Sequence, residues 1–193
     1  MSASRRALLK RGILYAPLLF HYVLSPVRAA AEEHAIPEQW YWYPGHSFEM
    51  KAIAKDTGST CTWMLIENSP REGVPFHKHR YEDESFYVID GVFEITIGDA
   101  TVTGGPGTYL YGPREVPHRW TNMGSGRGRM LCVYTPSGLE QYFLSVAIPI
   151  KHPSDKTFVD MAALSLRMAA LREKFGLIRT GTTKYAPSPG QGS

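Results

Sequence analysis

His77 and His79 stand one residue apart in Pro75-Phe-His-Lys-His79, and Glu82, Asp83 and Glu84 follow at once. Alternate side chains of a strand share a face, so on an extended segment both imidazoles point the same way, about 7 Å apart. A metal ion can join two rings so placed. Glu84 lies five residues beyond His79, an odd step that would turn it to the opposite face of a straight strand. A hairpin turn at Arg80 to Asp83, with Glu84 opening the next strand, is expected to bring it back. Glu82 and Asp83 read in two ways, as acids accepting a ligand histidine's N–H or as a solvated hairpin, and the hairpin is favoured.

A second element runs Gly107-Thr-Tyr-Leu-Tyr-Gly-Pro113-Arg-Glu-Val-Pro-His118-Arg-Trp-Thr-Asn122. Together, His77-x-His79-x4-Glu84-x6-Gly91 and Gly107-x5-Pro113-x4-His118-x3-Asn122 resemble the two motifs of the cupin family. Any His-x-His alone is a weak signal, whereas four ligand types at matching intervals are a specific one. There are two departures. Three residues separate Gly73 from His77 where the family has five, and Glu115 occupies a position usually held by glycine, which suggests a different turn beside His118. The fifteen residues between Gly91 and Gly107 match the short spacing of compact members.

The resemblance implies that His77, His79, Glu84 and His118 bind one divalent metal inside the barrel, leaving room for water, dioxygen or a substrate oxygen. Three nitrogens and one oxygen suit iron, manganese, nickel, cobalt, copper or zinc about equally. Folding in the cytoplasm before export, where copper and zinc are scarce, favours iron or manganese. The segment from Pro136 to Phe143, followed by a helical pattern, is similar to the ending of small single-domain cupins of the quercetin (flavonol) 2,3-dioxygenase-like kind, and the likeness spans about Tyr43 to Phe143. It implies a metal-dependent dioxygenase of an aromatic or enolisable small molecule, with Glu84 as the catalytic acceptor of the substrate's hydroxyl proton. Its rivals are an exported binding or sensing cupin, whose metal is structural or merely holds a ligand, and a non-redox isomerase or decarboxylase. Fold alone does not choose among these.

The positioning elements are short β-like runs: Phe48 to Ala54, Thr60 to Glu67, Glu84 to Ile89, Val92 to Ile97, Ala100 to Val102, Tyr109 to Tyr111, His118 to Thr121 and Arg129 to Tyr134. Glycine-rich turns separate several of them, a pattern of sandwiches and barrels. Phe86 and Val88 share Glu84's parity and are expected to line the cavity as a substrate pocket. Asn122 shares parity with His118, either supporting the ligands from behind or holding a turn, while Arg119 faces solvent or a partner. Phe158, Met161, Ala162, Leu164, Met168, Leu171 and Phe175 recur at helical spacing, so a helix is expected over about 157–175.

The fold expected is thus all-β, a single cupin jelly-roll barrel with a C-terminal helix. It divides into a signal at 1–31, an N-terminal aromatic segment at 32–46, the barrel at 47–145, a C-terminal extension at 146–185 and a loose tail at 186–193. The aromatic cluster Trp40 to Tyr43 is expected to stack on substrate, plug the barrel or make a dimer contact.

Within residues 1–31, Ser4-Arg-Arg-Ala-Leu-Leu-Lys10 resembles a twin-arginine address, followed by an apolar run from Gly12 to Val27 and the small residues Ala29 to Ala31. That run is short of the ~20 apolar residues a membrane span needs, so an exported, periplasmic or secreted protein is expected, touching a membrane only through an uncleaved signal. Residues 1–31 carry five bases and no acid, so their removal turns the formal charge from +3 to −2, and no basic stripe remains for nucleic acid. Cys61 and Cys132 lie in apolar runs and are expected to be free thiols, because a twin-arginine substrate folds in a reducing compartment. Small cupin barrels commonly pair, so a homodimer is expected.

Overall fold

The structure, a computed structural model, describes residues 38–155 and 157–181. The expected signal at 1–31 and tail at 186–193 lie outside the described residues.

The chain begins with β1 (Trp40–Tyr43) and β2 (His46–Ala52), then a single turn of helix, α1 (Ala54–Thr57), and β3 (Thr62–Asn68). The site-bearing strands follow as β4 (Gly73–His79) and β5 (Asp83–Asp90), then β6 (Phe93–Ile97), β7 (Ala100–Gly104), β8 (Tyr109–Gly112), β9 (His118–Asn122) and β10 (Gly128–Thr135). The C-terminal part is α2 (Glu140–Val146), β11 (Ile148–Ile150), α3 (Met161–Arg172) and β12 (Leu177–Arg179). Two antiparallel sheets form the jelly roll, one ordered β11-β1-β2-β3-β10-β5-β8 and the other β12-β4-β9-β6-β7.

Period-two alternation makes these strands and aims them. In β10, Met130, Cys132 and Tyr134 are buried while Arg129 and Thr135 are exposed. They pair with Val88, Phe86 and Glu84 of β5 in register, so cross-strand neighbours share the inner face. Phe93, Ile95 and Trp120 face them from the other sheet, each at most 2% exposed. Full burial of each such side chain contributes about 1.5–3 kcal/mol.

Several expectations need correcting. The turn at Arg80 to Asp83 does not close a hairpin, because β4 and β5 belong to different sheets. It carries the chain across the barrel, and that crossing brings Glu84 back to the interior. The aromatic cluster is a strand, β1, paired with β2 and β11. The C-terminal helix covers only Met161–Arg172, capped by Asp160, whose carboxylate accepts from the amides of Ala162 and Ala163 at 3.0 and 3.1 Å. Leu164 and Met168 are its buried residues, whereas Phe158 is fully exposed and lies outside the helix. Beyond α3 the chain returns as β12 and adds an edge strand to the sheet that bears His77 and His79. Both cysteines are free thiols. Among the described residues no helix is long and apolar enough to cross a membrane.

Glu115 explains the second motif departure. It adopts φ +65°, the left-handed region that favours glycine at a cost of roughly 1–2 kcal/mol for other residues. The turn therefore keeps the shape a glycine would give it. Its amide donates to the carbonyl of His79 at 2.7 Å, and its carboxylate meets Lys78 Nζ at 2.5 Å.

Candidate metal centre

Four side chains converge inside the barrel. β4 supplies His77 and His79, β9 supplies His118, and β5 of the opposite sheet supplies Glu84. His77 and His118 are partners across the β4–β9 ladder, with an irregularity between Val74 and His77. One ligating atom from each of the four lies within 4.8 Å of the others. Glu84 Oε2 sits 3.0 Å from His79 Nε2, 2.9 Å from His118 Nε2 and 3.9 Å from His77 Nε2.

Backbone carbonyls orient two of the rings. His77 Nδ1 donates to the carbonyl of Pro75 and His118 Nδ1 to that of Val116, each at 2.9 Å. These contacts hold each Nε2 toward the centre, the arrangement by which ligand histidines keep a free nitrogen for a metal. His79 Nδ1 is buried and has no hydrogen-bond partner.

Burial opposes charge on Glu84, but hydrogen bonds from His118 and His79 prevail and hold its carboxyl well below the usual carboxylate range. Burial, reinforced by His118 and His79, pushes the His77 ring well below its ordinary value, which favours the neutral, ligating form. For His118 burial also lowers the value, yet the bond to Glu84 outweighs it and the net direction is upward. A central carboxylate, three imidazoles and no other anion among the described cavity-lining residues fit a single divalent cation.

The cleft above this cluster is walled by His46, Trp120, Tyr134 and Phe143, with His77 and Glu84 at its base and Arg172 and Arg179 among its lining. Its free volume is about 40 Å³, room for roughly three waters. Tyr134 pairs with Glu84 across β10 and β5, and Cys132 lies two residues away on the same face. Both carry values pushed well up by burial and then by Glu84, so each faces the carboxylate in its neutral form.

The remaining expected residues are placed as follows. Phe86 and Val88 are fully buried, but they are absent from the cleft lining. Phe86 instead buttresses His118, ring centroids 5.7 Å apart. Asn122 serves a turn: its amide donates to the carbonyls of Asn68 and Gly126 at 3.1 and 2.9 Å, and its oxygen accepts from the Gly124 amide at 2.9 Å. Arg119 pairs with Glu94 at 3.2 Å and lies 5.0 Å from the Phe76 ring. Asp83 is partly exposed in the crossing turn and bound by Arg114 at 2.9 Å, so it is a surface ion-pair partner and not an acid behind a histidine. Glu82 is not solvated: it is 4% exposed and burial lifts its carboxyl to about 7.

Sequence reasoning missed His46, Tyr134, Arg172 and Arg179 as cleft residues. His46 carried a signal, since it shares strand parity with Phe48 and Met50. The two arginines carried none, because their place depends on a return of the chain after α3.

The described geometry can be set beside known proteins. The family model described as "Cupin domain" matches residues 64–134. The SchB protein of Streptomyces halstedii is 34% identical over 86 residues, 43% of this chain. The chain spans 62% of the length of that curated relative. Among solved structures, KdgF from Halomonas sp. is similar at 16% identity and TM-score 0.48, over 53% of this chain and 89% of that one. A predicted oxalate decarboxylase from Thermotoga maritima is similar at 19% identity and TM-score 0.46, over 54% and 95%.

Proposed function

We propose, from the premise that residues 64–134 are a cupin domain, that the protein is a metal-dependent dioxygenase of a small enolisable molecule. The observation that carries this reading is the position of Glu84. Its Oε2 lies 2.9 and 3.0 Å from two histidine nitrogens, at the base of a cleft otherwise walled largely by aromatic and apolar side chains.

A divalent metal held by His77, His79, Glu84 and His118 would supply a Lewis-acid position for a substrate oxygen and a redox partner for dioxygen. Iron or manganese is the metal we favour. The chain's own residues do the rest. Glu84 is the one carboxylate lining the cleft among the described residues, so it takes the hydroxyl proton of the enolised substrate. Tyr134 and Cys132 remain protonated beside it and compete for no proton at neutral pH. Trp120 and Phe143 exclude water from the carbanion-like substrate, and Pro75 and Val116 keep the His77 and His118 rings from turning away. Both oxygen atoms enter the products as a carbon–carbon bond breaks, so no further reductant is needed.

The narrow cleft favours short β-dicarbonyl compounds over flavonols, which must stay largely outside it. Oxygen uptake by iron- or manganese-loaded protein with β-diketones, catechols and flavonols tests this, with Glu84→Gln as control. Uptake confined to the short substrates and lost in the variant is expected. Silence across the panel, together with ligand-induced stabilisation, identifies a binding protein instead. Export to the periplasm is proposed on the Ser4 to Lys10 pattern and is checked by fractionating cells that express the full chain.

A further inference from the structure

Two side chains of the cleft hold buried nitrogens without a hydrogen-bond partner among the described residues, and a third brings a second guanidinium to the same space. His46 is 4% exposed and lines the cleft, and neither of its ring nitrogens has a hydrogen bond. Burial lowers it to about 3, so it stands as a neutral imidazole with one donor to offer. Arg172, from the end of α3, has a buried Nη1 without a partner. Arg179 lines the same cleft and stands directly opposite His77 across the β12–β4 ladder. Cross-strand partners have Cβ atoms about 4.5–5.5 Å apart and point to one face, so the Arg179 side chain leaves the sheet on the face that bears His77.

No acid pairs with either arginine among the described residues; the ion pairs of the fold are made by other bases. Burial raises the Tyr43 and Tyr142 hydroxyls, and the two guanidiniums only weakly oppose it; the hydroxyls lie 3.2 Å apart and bond each other. Two cations sharing one small cleft repel each other, and a buried unpaired donor is costly. An anion between them relieves both penalties. The planar fork of arginine matches the two oxygens of a carboxylate, and a carboxylate is compact enough for a cleft of about 40 Å³.

We propose that Arg172 and Arg179, with His46, form a carboxylate subsite, so that the substrate is an enolisable acid held by its carboxylate at the cleft rim and by its keto or enol oxygen at the three-histidine centre. This rests on the preceding reading of the centre, and it assigns the C-terminal segment a role in specificity outside the 64–134 domain. Arg172 and Arg179 are positioning residues.

Acetoacetate and its neutral isostere acetylacetone discriminate the subsite from the metal centre. Binding of each is titrated calorimetrically at low salt to the full chain, metal-loaded and chelator-treated. Acetoacetate is expected to bind both forms, and Arg172→Met to weaken it at least tenfold while acetylacetone changes less than twofold. Arg172→Lys, which keeps the charge but not the fork, is expected to fall between. Arg179 is exposed, so Arg179→Met is tolerated by the fold and carries the test if Arg172→Met does not fold. Equal acetoacetate affinity in wild type and both methionine variants overturns the proposal. Oxygen uptake and metal content are read separately. An Arg-dependent acetoacetate site without uptake leaves the subsite standing and removes the dioxygenase, whereas uptake of acetylacetone with Arg-independent binding does the reverse.

Discussion

Arg179 stands opposite His77 across the β12–β4 ladder, so a residue of the last described strand is a cross-strand neighbour of a candidate first-motif ligand. The barrel wall at the site is therefore built from both ends of the fold: β4 and β9 hold histidines, and β12 closes the edge beside them. Tyr43 of β1 and Phe143 of α2 complete the cleft from the other sheet's side.

Metal should stabilise this fold strongly, because the four candidate ligands come from three strands in two sheets. At a thousandfold excess over Kd, binding to the native state alone contributes about 4 kcal/mol, on the order of 10 °C in Tm for a chain of this size. Chelation should remove that shift. His118→Ala should show no difference between treated and untreated protein, with metal content measured by elemental analysis.

Asn122 should matter for stability but not for metal. Its three hydrogen bonds all lie in the turn between β9 and β10 or reach to Asn68. Asn122→Ala leaves buried groups unpaired and should cost about 2–3 kcal/mol in chemical denaturation. Metal stoichiometry should stay at the wild-type value; a loss of metal in folded variant would show a role at the centre instead.

Glu82 should make the metal-free protein less stable in alkali. Its folded value, about 7, lies above the ordinary 4.5 because burial disfavours the anion. The unfolded chain therefore releases this proton first. The stability from the neutral form is complete below about pH 4.5 and is lost as pH rises through 7. Glu82→Gln should match wild type near pH 4.5 and exceed it by roughly 1–3 kcal/mol at pH 8, read as denaturation midpoints across that range.

Phe86 should act through His118. It is fully buried and its ring packs 5.7 Å from that imidazole. Phe86→Ala should cost about 3–5 kcal/mol and also weaken metal binding, whereas Phe86→Leu should retain most of the affinity. Paired denaturation and metal titrations separate the two effects.

How much of this was legible beforehand follows from the range of the interactions concerned. The strands and the ligand types are written in local patterns: His77 and His79 by parity, Glu84 and His118 by motif spacing, Met130 to Tyr134 by alternation. Those signals survive without a fold because each depends on neighbours a few residues away. The hairpin expected at Arg80 to Asp83 failed for the opposite reason. Parity states that Glu84 must return to the interior but not which sheet receives it, and only the pairing of β5 with β10 and β8 settles that. Likewise nothing local separates the inward-facing Phe86, which supports a ligand, from Trp120, which walls the cleft.

The amino-acid sequence by itself determined the chemistry on offer, three imidazoles and a carboxylate at strand-compatible intervals, and the all-β character that presents them. Tertiary structure alone decided the shape and charge of the space above them, since His46, Arg172 and Arg179 reach it from strands and a helix distant in the chain. Side-chain parity acts over two residues, whereas the meeting of β12 with β4 is decided by burial and backbone pairing across about a hundred positions.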